Sequence, residues 1–385
     1  MKLAGANFYR YSLPCAHPLE LRGATIDRRT GIVVAIHGDG AAVGYGEIAP
    51  LPQFSVETLD EALASARRCI QFLERRAGAS PATRAALRDR EPFPPSVRFG
   101  IECALWNLAA QSNAKSPADL LAESPATRVP VNALITTSGA AAADAAESAA
   151  HNGYTAIKLK VGRVAIESDL ESVRGIRRAI GEGVEIRLDA NRSWSFDDAL
   201  EFARRVADCE IAYIEEPIDE PHRLDEFAAR SPIPIAVDET LQDAGWARLH
   251  EWRQAEFLDP FAHVPADADP LLRAILAARA WVVKPTLVGM PLTYLAHLLT
   301  KQRRIDADLV ISSSFESGLG LVALANLAAC AGDGALPAGL DTAAWFGGDV
   351  LDAPLPIVSG AIDLAGANAI AARFSPDGLE EVAND

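Results

Sequence analysis

The chain has few cysteines and histidines, and neither kind is spaced as a metal site. Five cysteines, with no C-x-x-C pair, are scattered over 385 residues: Cys15, Cys69, Cys103, Cys209 and Cys330. The seven histidines include no H-x-x-x-H spacing. An odd, scattered set of thiols argues against a disulfide framework, and the missing histidine pairs argue against zinc. We therefore predict inert thiols in a reducing compartment.

Positive charge and long apolar runs are also lacking. The 36 Lys and Arg residues are outnumbered by 52 Asp and Glu residues, which gives a formal net charge of −16 and argues against nucleic acid or an anionic membrane as a partner. No apolar run is long enough to cross a bilayer, and the N-terminal stretch MKLAGANFYRYSLP lacks the apolar core of a signal peptide. The predicted location is cytoplasmic.

Residues 1–125 predict a small α+β domain. Two apolar strand runs flank the polar turn HGDG at 37–40, which is typical of an antiparallel hairpin. Residues 57–76 and 96–111 carry apolar residues at helical spacing. Strands followed by helices within one short region indicate a domain separate from the rest of the chain.

From Val129 onward, short β-branched runs alternate with Ala-rich helical stretches, which is the pattern of βα units around a parallel sheet. Eight strands with helices between them predict an α/β fold, a (β/α)8 TIM-like barrel over residues 126–350. After residue 350 the βα rhythm is lost, and we expect 351–385 to return to the N-terminal domain. The predicted strands are 129–135, 155–160, 185–190, 211–215, 233–238, 281–284, 308–313 and a weakly patterned one at 338–341.

One interval in the barrel pattern is longer than the others. The charged residues that close successive strands are 29, 26 and 23 residues apart from Lys160 to Asp238, whereas 46 residues separate Asp238 from Lys284. Proline and aspartate are frequent in the added stretch, around 251–270, so we expect an irregular excursion there.

Six ionisable residues close apolar, strand-like runs. A charge at the end of a buried strand is costly unless it has a partner or a function. A repeated pattern of this kind indicates one site at the carboxyl ends of the barrel strands. The residues are Lys158 and Lys160 in TAIKLKVG, Asp189 in VEIRLDAN, Glu215 in IAYIEEP, Asp238 in IPIAVDE and Lys284 in AWVVKP.

The three acidic strand ends predict a site for a hard divalent cation. Asp189, Glu215 and Asp238 end successive strands, which lie about 4.8 Å apart in a sheet. Their carboxylates can converge on one ion, and all-oxygen ligation favours Mg2+, or Mn2+, over zinc. Glu216 and Glu239 follow two of these ligands directly and are predicted not to bind the ion, because adjacent strand residues point to opposite faces. The alternative is three solvated acids without a common role.

The lysines predict proton-transfer groups. Lys158 and Lys160 are two residues apart, so both lie on the same face of one strand. Two partly desolvated ammonium groups are expected to lower each other's pKa, and a lysine with a pKa of about 7–8 can act as a general base. Lys284, on a later strand, is expected to face the pair across the barrel. The alternative is that the lysines simply neutralise the acids.

The order K-x-K, D-x-N, E-E-P, D-E and K-P resembles the enolase superfamily, in the branch whose barrel bases are lysines. The resemblance implies that the α+β domain caps the barrel and is completed by 351–385. Further segments resemble the o-succinylbenzoate synthase family, over almost the whole chain: GYGEIAPLPQFSVETLDEA (44–62), PSVRFGIECAL (95–105), RLDANRSWS (187–195), KPTLVG (284–289), ISSSFESGLGL (311–321) and GLDT (339–342).

The resemblance implies a metal-dependent syn-dehydration of a cyclohexadiene carboxylate to 2-succinylbenzoate, in menaquinone biosynthesis. Lys160 would remove the proton α to the carboxylate and then help the hydroxyl leave from the same face. The metal would stabilise the enediolate, and Lys284 would stabilise charge from the opposite face. The expected substrate contacts are Ser312, Ser313 and Gly289, and the residues expected to lie behind the ligands and lysines are Asn191 and Glu239.

Related isomerases are alternatives. Two lysines on opposite faces also suit an N-acylamino-acid racemase, a dipeptide epimerase or a muconate-type cycloisomerase. One feature argues against the dipeptide epimerase: the eighth strand has a single acid, Asp341, at the place where those enzymes carry a D-x-D motif. A non-catalytic ligand-binding barrel is a further alternative, but a binder has no need of a base. The predicted partner is thus a small carboxylate substrate, and the sequence is compatible with a homo-oligomer.

Overall fold

The computed structural model describes residues 3–21, 24–75, 93–254, 267–301 and 307–383. The excursion predicted around 251–270 lies mostly outside these ranges. No helix within them is long and apolar enough to span a membrane.

The described residues of the N-terminal domain form a long antiparallel hairpin, a third strand and three helices. The turn between its second and third strands confirms the hairpin predicted at 37–40. The helix Pro95–Ser112 packs closely on this sheet. A Cβ on Gly46 would lie 2.0 Å from the carbonyl oxygen of Gly100, so the contact requires glycine at position 46. The elements are β1 (Gly5–Leu21), β2 (Ala24–His37), β3 (Val43–Ile48), α1 (Leu59–Arg75), α2 (Pro95–Ser112) and α3 (Pro117–Leu121).

The second region confirms the predicted α/β architecture. Its strands are β4 (Arg128–Pro130), β5 (Ala133–Ile135), β6 (Ala156–Lys160), β7 (Glu185–Asp189), β8 (Ile211–Glu215), β9 (Ile235–Val237), β10 (Ala280–Val283) and β11 (Asp308–Ile311). Strands β5 to β11 form one parallel sheet in sequence order. The predicted first strand, 129–135, is divided between β4 and β5.

Helices connect these strands, and two of them begin at side-chain caps, Ser195 and Asp269. At Ser195, the hydroxyl accepts a hydrogen bond from the backbone N–H of Asp198 at the start of a helix. The helices are α4 (Gly139–His151), α5 (Ile166–Ile180), α6 (Phe196–Arg205), α7 (Leu224–Arg230), α8 (Glu239–Gln254, kinked at Gly245), α9 (Pro270–Ala277), α10 (Pro285–Val288), α11 (Leu292–Thr300) and α12 (Gly318–Ala329).

The predicted eighth strand, 338–341, forms only single-residue bridges. Ala338 exchanges two backbone hydrogen bonds with the 130–132 segment, at 2.8 and 3.0 Å. Gly339 exchanges two with the 311–313 segment, at 2.9 and 3.0 Å. This short stretch therefore bonds to the chain at both edges of the seven-stranded sheet.

The C-terminal segment divides between the two regions. Its elements are β12 (Ile357–Val358), β13 (Ala361–Asp363), α13 (Leu364–Ala371) and β14 (Glu380–Val382). Strand β13 pairs with β4, and α13 packs against α12. Only β14 joins the N-terminal sheet, where it pairs antiparallel with β1.

Among the described residues, two apolar cores support this arrangement, and a third, small cluster lies on strands β8 to β11. The N-terminal core includes Phe8, Ile32, Val34, Ile36 and Leu105. The small cluster consists of Tyr213, Ala236, Ala280, Val282 and Val310. Four of these five side chains are small or β-branched, which suits close packing on neighbouring strands.

Candidate active site

Side chains alternate between the two faces of a strand, and the predicted charged residues therefore lie on one face of the sheet. On β6, Ile157 and Leu159 are buried in the main core, and Lys158 and Lys160 take the opposite face. The parallel register then aligns three strand ends, since Lys160 pairs with Asp189 and Asp189 pairs in turn with Glu215. Residues distant in sequence thus become neighbours at one edge.

The two lysines of β6 form different ion pairs. Lys158 Nζ lies 2.9 Å from Asp189 Oδ2 and 2.7 Å from Glu215 Oε2, so it lies between two carboxylates. Lys160 Nζ lies 2.6 Å from Asp189 Oδ2 and 2.7 Å from the amide oxygen of Asn191. Lys160 therefore contacts one carboxylate, that of Asp189, which it shares with Lys158. Its second contact is a neutral amide.

Lys284 provides the third ammonium group. It pairs with Asp238, whose other carboxylate oxygen accepts from Gln242 Nε2 at 2.7 Å. Glu239, the next residue, turns to Asn191 Nδ2 at 3.1 Å. Asn191 thereby connects Lys160 to Glu239 through two hydrogen bonds.

Glu216 is turned away from the lysines. Its carboxylate accepts from the backbone N–H of Asp238 and Thr240, at 2.9 and 2.7 Å, and from Arg192 Nε at 2.8 Å. The backbone φ of Glu216 is +44° and that of Asn191 is +46°, in the left-handed region. Such conformations persist where surrounding contacts determine them, which is typical of functional sites.

Burial and neighbouring charges shift the pKa values of the three lysines in different directions. Burial lowers the pKa of Lys160, and the adjacent Lys158 lowers it further, against the opposing attraction of Asp189. For Lys158, burial also lowers the pKa, but Asp189 and Glu215 together raise it well above its usual value. The mutual lowering predicted for the pair thus holds for Lys160 alone, because Lys158 lies between two carboxylates. Burial is likewise outweighed at Lys284, where Asp238 raises the pKa.

The donor chemistry fits a divalent cation. Among the described residues, no three acidic, His or Cys side chains are grouped as a metal site, since each strand-end carboxylate is turned to a lysine. Asp189, Glu215 and Asp238 are nevertheless almost fully buried and offer only oxygen. Burial, with the charges of Asp189 and then Asp238, raises the pKa of Glu215 to about 8 despite Lys158. This cluster would therefore be stabilised by additional positive charge.

A cavity opens above these strand ends. It brings together most of the predicted residues and several that sequence reasoning did not select. Its lining consists of Asn132, Leu134, Lys158, Lys160, Asp189, Lys284, Ser312, Ser313, Phe315, Gly339, Asp341 and Thr342. The lysines of β6 and Lys284 thus face one space, with the two serines beside them.

Gly289 is not brought to this cavity, contrary to expectation. It ends α10 with a φ of +72°, and a Cβ there would lie 3.2 Å from Pro95, at the start of α2. Gly339 is the glycine at the cavity, and its Cβ would lie 2.5 Å from Ser312 Oγ. The positive φ of Gly289 favours glycine there, whereas a side chain at Gly339 would first have to displace the Ser312 hydroxyl. The sequence alone does not distinguish close approach to a ligand from close approach to a helix.

The sequence identified Asp341 only as the acid of the weakly patterned eighth strand, and its strand-end position could have marked it as a site residue. Its carboxylate lines the cavity and accepts from the hydroxyl of Tyr154 at 2.7 Å. Burial raises the pKa of Asp341, although this hydrogen bond opposes the shift. Tyr154 precedes its strand, so the strand-end pattern could not identify it.

Comparison with known proteins assigns the chain to a class. Residues 140–368 match the model of the enolase C-terminal domain-like family, more than half of the chain. The L-Ala-D/L-Glu epimerase from Bacillus subtilis has the same fold, with a TM-score of 0.75 at 21% identity over 94% of this chain and 96% of that one. The chain belongs to the enolase superfamily and has its fold, and members of that superfamily use a divalent metal ion.

Closer relatives define the family within this class. Residues 3–108 match the model described as MenC, N-terminal domain. The o-succinylbenzoate synthase of Yersinia pseudotuberculosis serotype I is 33% identical, over 92% of this chain and 96% of that protein. The o-succinylbenzoate synthase of Pectobacterium atrosepticum is 35% identical, over 87% and 88%. The chain belongs to the o-succinylbenzoate synthase family.

Proposed function

We propose that this chain is an o-succinylbenzoate synthase, a carbon–oxygen lyase of menaquinone biosynthesis. It would convert 2-succinyl-6-hydroxy-2,4-cyclohexadiene-1-carboxylate to 2-succinylbenzoate by syn-dehydration. The observation that carries this proposal is the identity of 33% and 35% with curated synthases over most of both chains. The lysines and carboxylates gathered at one cavity are consistent with it.

The proposed architecture is a closed (β/α)8 barrel over 126–350, capped by residues 1–125 with a contribution from 351–385. The bonds of Ala338 and Gly339 to both sheet edges support closure. The pairing of β14 with β1 supports the return of the C-terminal segment to the cap.

Lys160 is proposed as the base. It lines the cavity, its pKa is lowered by burial, and it is held by Asp189 and Asn191 on one side of the cavity. Lys158, between two carboxylates, remains an ammonium group and lowers the pKa of its neighbour. A base with a lowered pKa next to a fixed positive charge is suited to proton abstraction near neutral pH.

A divalent cation, Mg2+ in our proposal, would be held by Asp189, Glu215 and Asp238 and would neutralise the negative charge that develops on the substrate carboxylate. Glu216 holds the backbone N–H of Asp238 in place. Asn191 accepts a hydrogen bond from Lys160 and donates one to Glu239, so these two residues would hold the Lys160 ammonium group in position.

The atoms and electrons of the proposed dehydration balance with Lys160 as the only group that carries a proton. Its neutral amine takes the proton α to the carboxylate, and the electrons of that C–H bond pass to the carboxylate carbon. As they return to form the ring double bond, the C–O bond to the hydroxyl breaks, and the proton on Lys160 leaves with the oxygen as water. Because both events occur on one face, the elimination is syn, and aromatisation drives it.

Lys284 and the serines would orient the substrate in this scheme. Lys284 would stay protonated, because Asp238 raises its pKa, and it would offer a fixed positive charge at the cavity that Lys160 also lines. Ser312 and Ser313 are proposed to donate hydrogen bonds to the succinyl tail. The hydroxyl of Ser313 lies 2.9 Å from Thr342 Oγ1, which fixes its position at the cavity wall.

The decisive experiment compares dehydration with isomerisation. Loss of the diene absorbance should follow addition of enzyme and Mg2+ to the cyclohexadiene substrate. In parallel, N-succinyl amino acids are incubated with the enzyme in D2O, and exchange of the α-proton is measured. If the racemase kcat/KM greatly exceeded that of dehydration, an N-acylamino-acid racemase would replace the synthase.

A matched pair of lysine variants tests the assigned base. Lys160→Arg should be inactive, because arginine does not lose its proton at neutral pH. Lys301→Arg, at the exposed end of α11, should retain the wild-type rate. Dehydration by Lys160→Arg at the wild-type rate would exclude Lys160 as the base.

A further inference from the structure

The segment that follows β11 is held in an unfavourable conformation. It carries Ser312 and Ser313, and Phe315 lines the same cavity. The φ of Phe315 is +59°, in the left-handed region that bulky residues rarely adopt. An aromatic residue in this conformation requires surrounding contacts that determine it. The origin of those contacts therefore matters for the geometry of the cavity.

Arg29, on β2 of the N-terminal domain, supplies several of them. Its side chain is fully buried, and it donates to the carbonyl oxygens of Phe315 at 2.9 Å and Ser314 at 3.4 Å. It also donates to the carbonyl oxygens of Ala49 and Pro50, at 2.6 and 2.7 Å. One guanidinium thus joins the loop after β3 to the barrel segment.

Glu47, at the end of β3, holds the other end of the same segment. Its carboxylate accepts from the backbone N–H of Ser317 and Gly320, at 2.9 and 2.8 Å, and from the Ser317 hydroxyl at 2.6 Å. These groups form the N-terminus of α12, where a negative charge is favourable. Two buried side chains of the N-terminal domain therefore bracket residues 314–317.

We propose that Arg29 is a positioning residue that fixes the 312–317 segment, and with it the two serines and Phe315, for binding of the substrate's succinyl tail. Glu47 assists by holding the start of α12. The assignment of the succinyl tail rests on the proposed function, whereas the effect of Arg29 on the segment does not.

The residue type matters for this role. A guanidinium has five N–H donors in a planar fork and can serve two loops at once. A lysine ammonium has three donors on a single nitrogen and cannot reach carbonyl groups on both sides in the same way. Arg29→Lys should therefore lose most of the effect while keeping the charge.

Hydrogen exchange tests the structural half of the proposal. In Arg29→Met and Arg29→Lys, protection of the amides in peptides covering 314–320 should fall by about tenfold or more, with the rest of the barrel unchanged. The matched control is Arg28→Met. Arg28 is exposed, and among the described residues its side chain donates to Ser12, within the N-terminal sheet, so its loss should leave that protection unchanged.

Kinetics tests the functional half. In both Arg29 variants the KM for the cyclohexadiene substrate should rise about tenfold, while kcat falls less than about threefold. The Kd for Mn2+ should not change, since Arg29 does not contact the acidic strand ends. Added guanidinium ion should partly restore the KM of Arg29→Ala, an effect that general destabilisation would not produce.

Three results would overturn the proposal. These are unchanged protection at 314–320 in folded variants, unchanged KM, and equal losses of kcat, Mn2+ binding and KM that point to general loosening. If Arg29→Met does not fold, Arg29→Lys decides. If the wild type does not turn over the cyclohexadiene, the proposed function fails, and the exchange experiment alone still decides the role of Arg29 in holding the segment.

Discussion

Replacement of Glu216 by glutamine should loosen the acidic strand ends without removing a proposed ligand. Glu216 is fully buried and accepts hydrogen bonds from Arg192 Nε, from two backbone N–H groups and from the hydroxyl of Thr240 at 3.0 Å. Oε1 serves the two backbone donors, and Oε2 serves Arg192 and Thr240. Glutamine can keep the first set, but its amide nitrogen then faces the arginine donor.

The expected cost follows from this geometry. A hydrogen bond to a charged group contributes about 1.5–3 kcal/mol, and breaking a buried ion pair costs about 3–5 kcal/mol. Arg192 retains Asp243, 2.7 Å from its Nη1, and is partly exposed, so the loss should be near the lower end. We expect Glu216→Gln to lower the free energy of unfolding by about 2–3 kcal/mol. The affinity for Mn2+ should fall by about tenfold, as is typical when the partner behind a ligand is changed.

Urea unfolding measures the first quantity, and titration with Mn2+ followed by electron paramagnetic resonance measures the second. The matched control is Glu220→Gln, because Glu220 is partly exposed and pairs with Arg223, 2.9 Å away. That change should cost less than about 0.5 kcal/mol and leave Mn2+ binding intact. If Glu216→Gln unfolded at the wild-type urea concentration and bound Mn2+ equally well, the reasoning about this network would be refuted.

Chelation with EDTA should abolish activity and Mg2+ should restore it, whereas full activity after exhaustive chelation would contradict the metal site. The ligand variants Asp189→Asn, Glu215→Gln and Asp238→Asn should each reduce activity far more than the urea midpoint. Lys284→Arg should retain some dehydratase activity, since Lys284 needs only its positive charge, and loss as complete as in Lys160→Arg would indicate that it transfers a proton. The buried Asp341 binds its proton more tightly when folded, so its contribution to stability decreases as pH rises from the ordinary aspartate pKa of 3.8 through the raised value. Asp341→Asn should reduce this decrease in urea unfolding measured at about pH 4 and about pH 7.

The strand-end residues were predictable because each one closes a short apolar run, which sequence displays directly. The same pattern could not assign their partners. Lys158 contacts two carboxylates and Lys160 only one, and this difference depends on register across β6, β7 and β8. It also depends on the left-handed turn at Asn191, which directs an amide to Lys160.

Other features were hidden because they join distant parts of the chain. Arg29 contacts Phe315, 286 residues away, and Glu47 contacts Ser317, 270 residues away. Nothing in the local sequence around either residue distinguishes it from a surface charge. The eighth strand is weakly patterned because its pairing is short. Among the described residues, its bridges are made by Ala338 and Gly339.

The pairing of β14 with β1 has a consequence for synthesis of the protein. Phe8 pairs with Val382, so the outer edge of the N-terminal sheet is covered only when nearly all of the described chain has emerged from the ribosome. Until then, the backbone groups of Phe8, Tyr9 and Arg10 are available to other strands, including those of a second nascent chain. Contacts over such sequence separations form slowly. The growing polypeptide is therefore exposed to mispairing at this edge while the seven-stranded parallel sheet is being translated, and chaperones that shield strand edges would act during that interval.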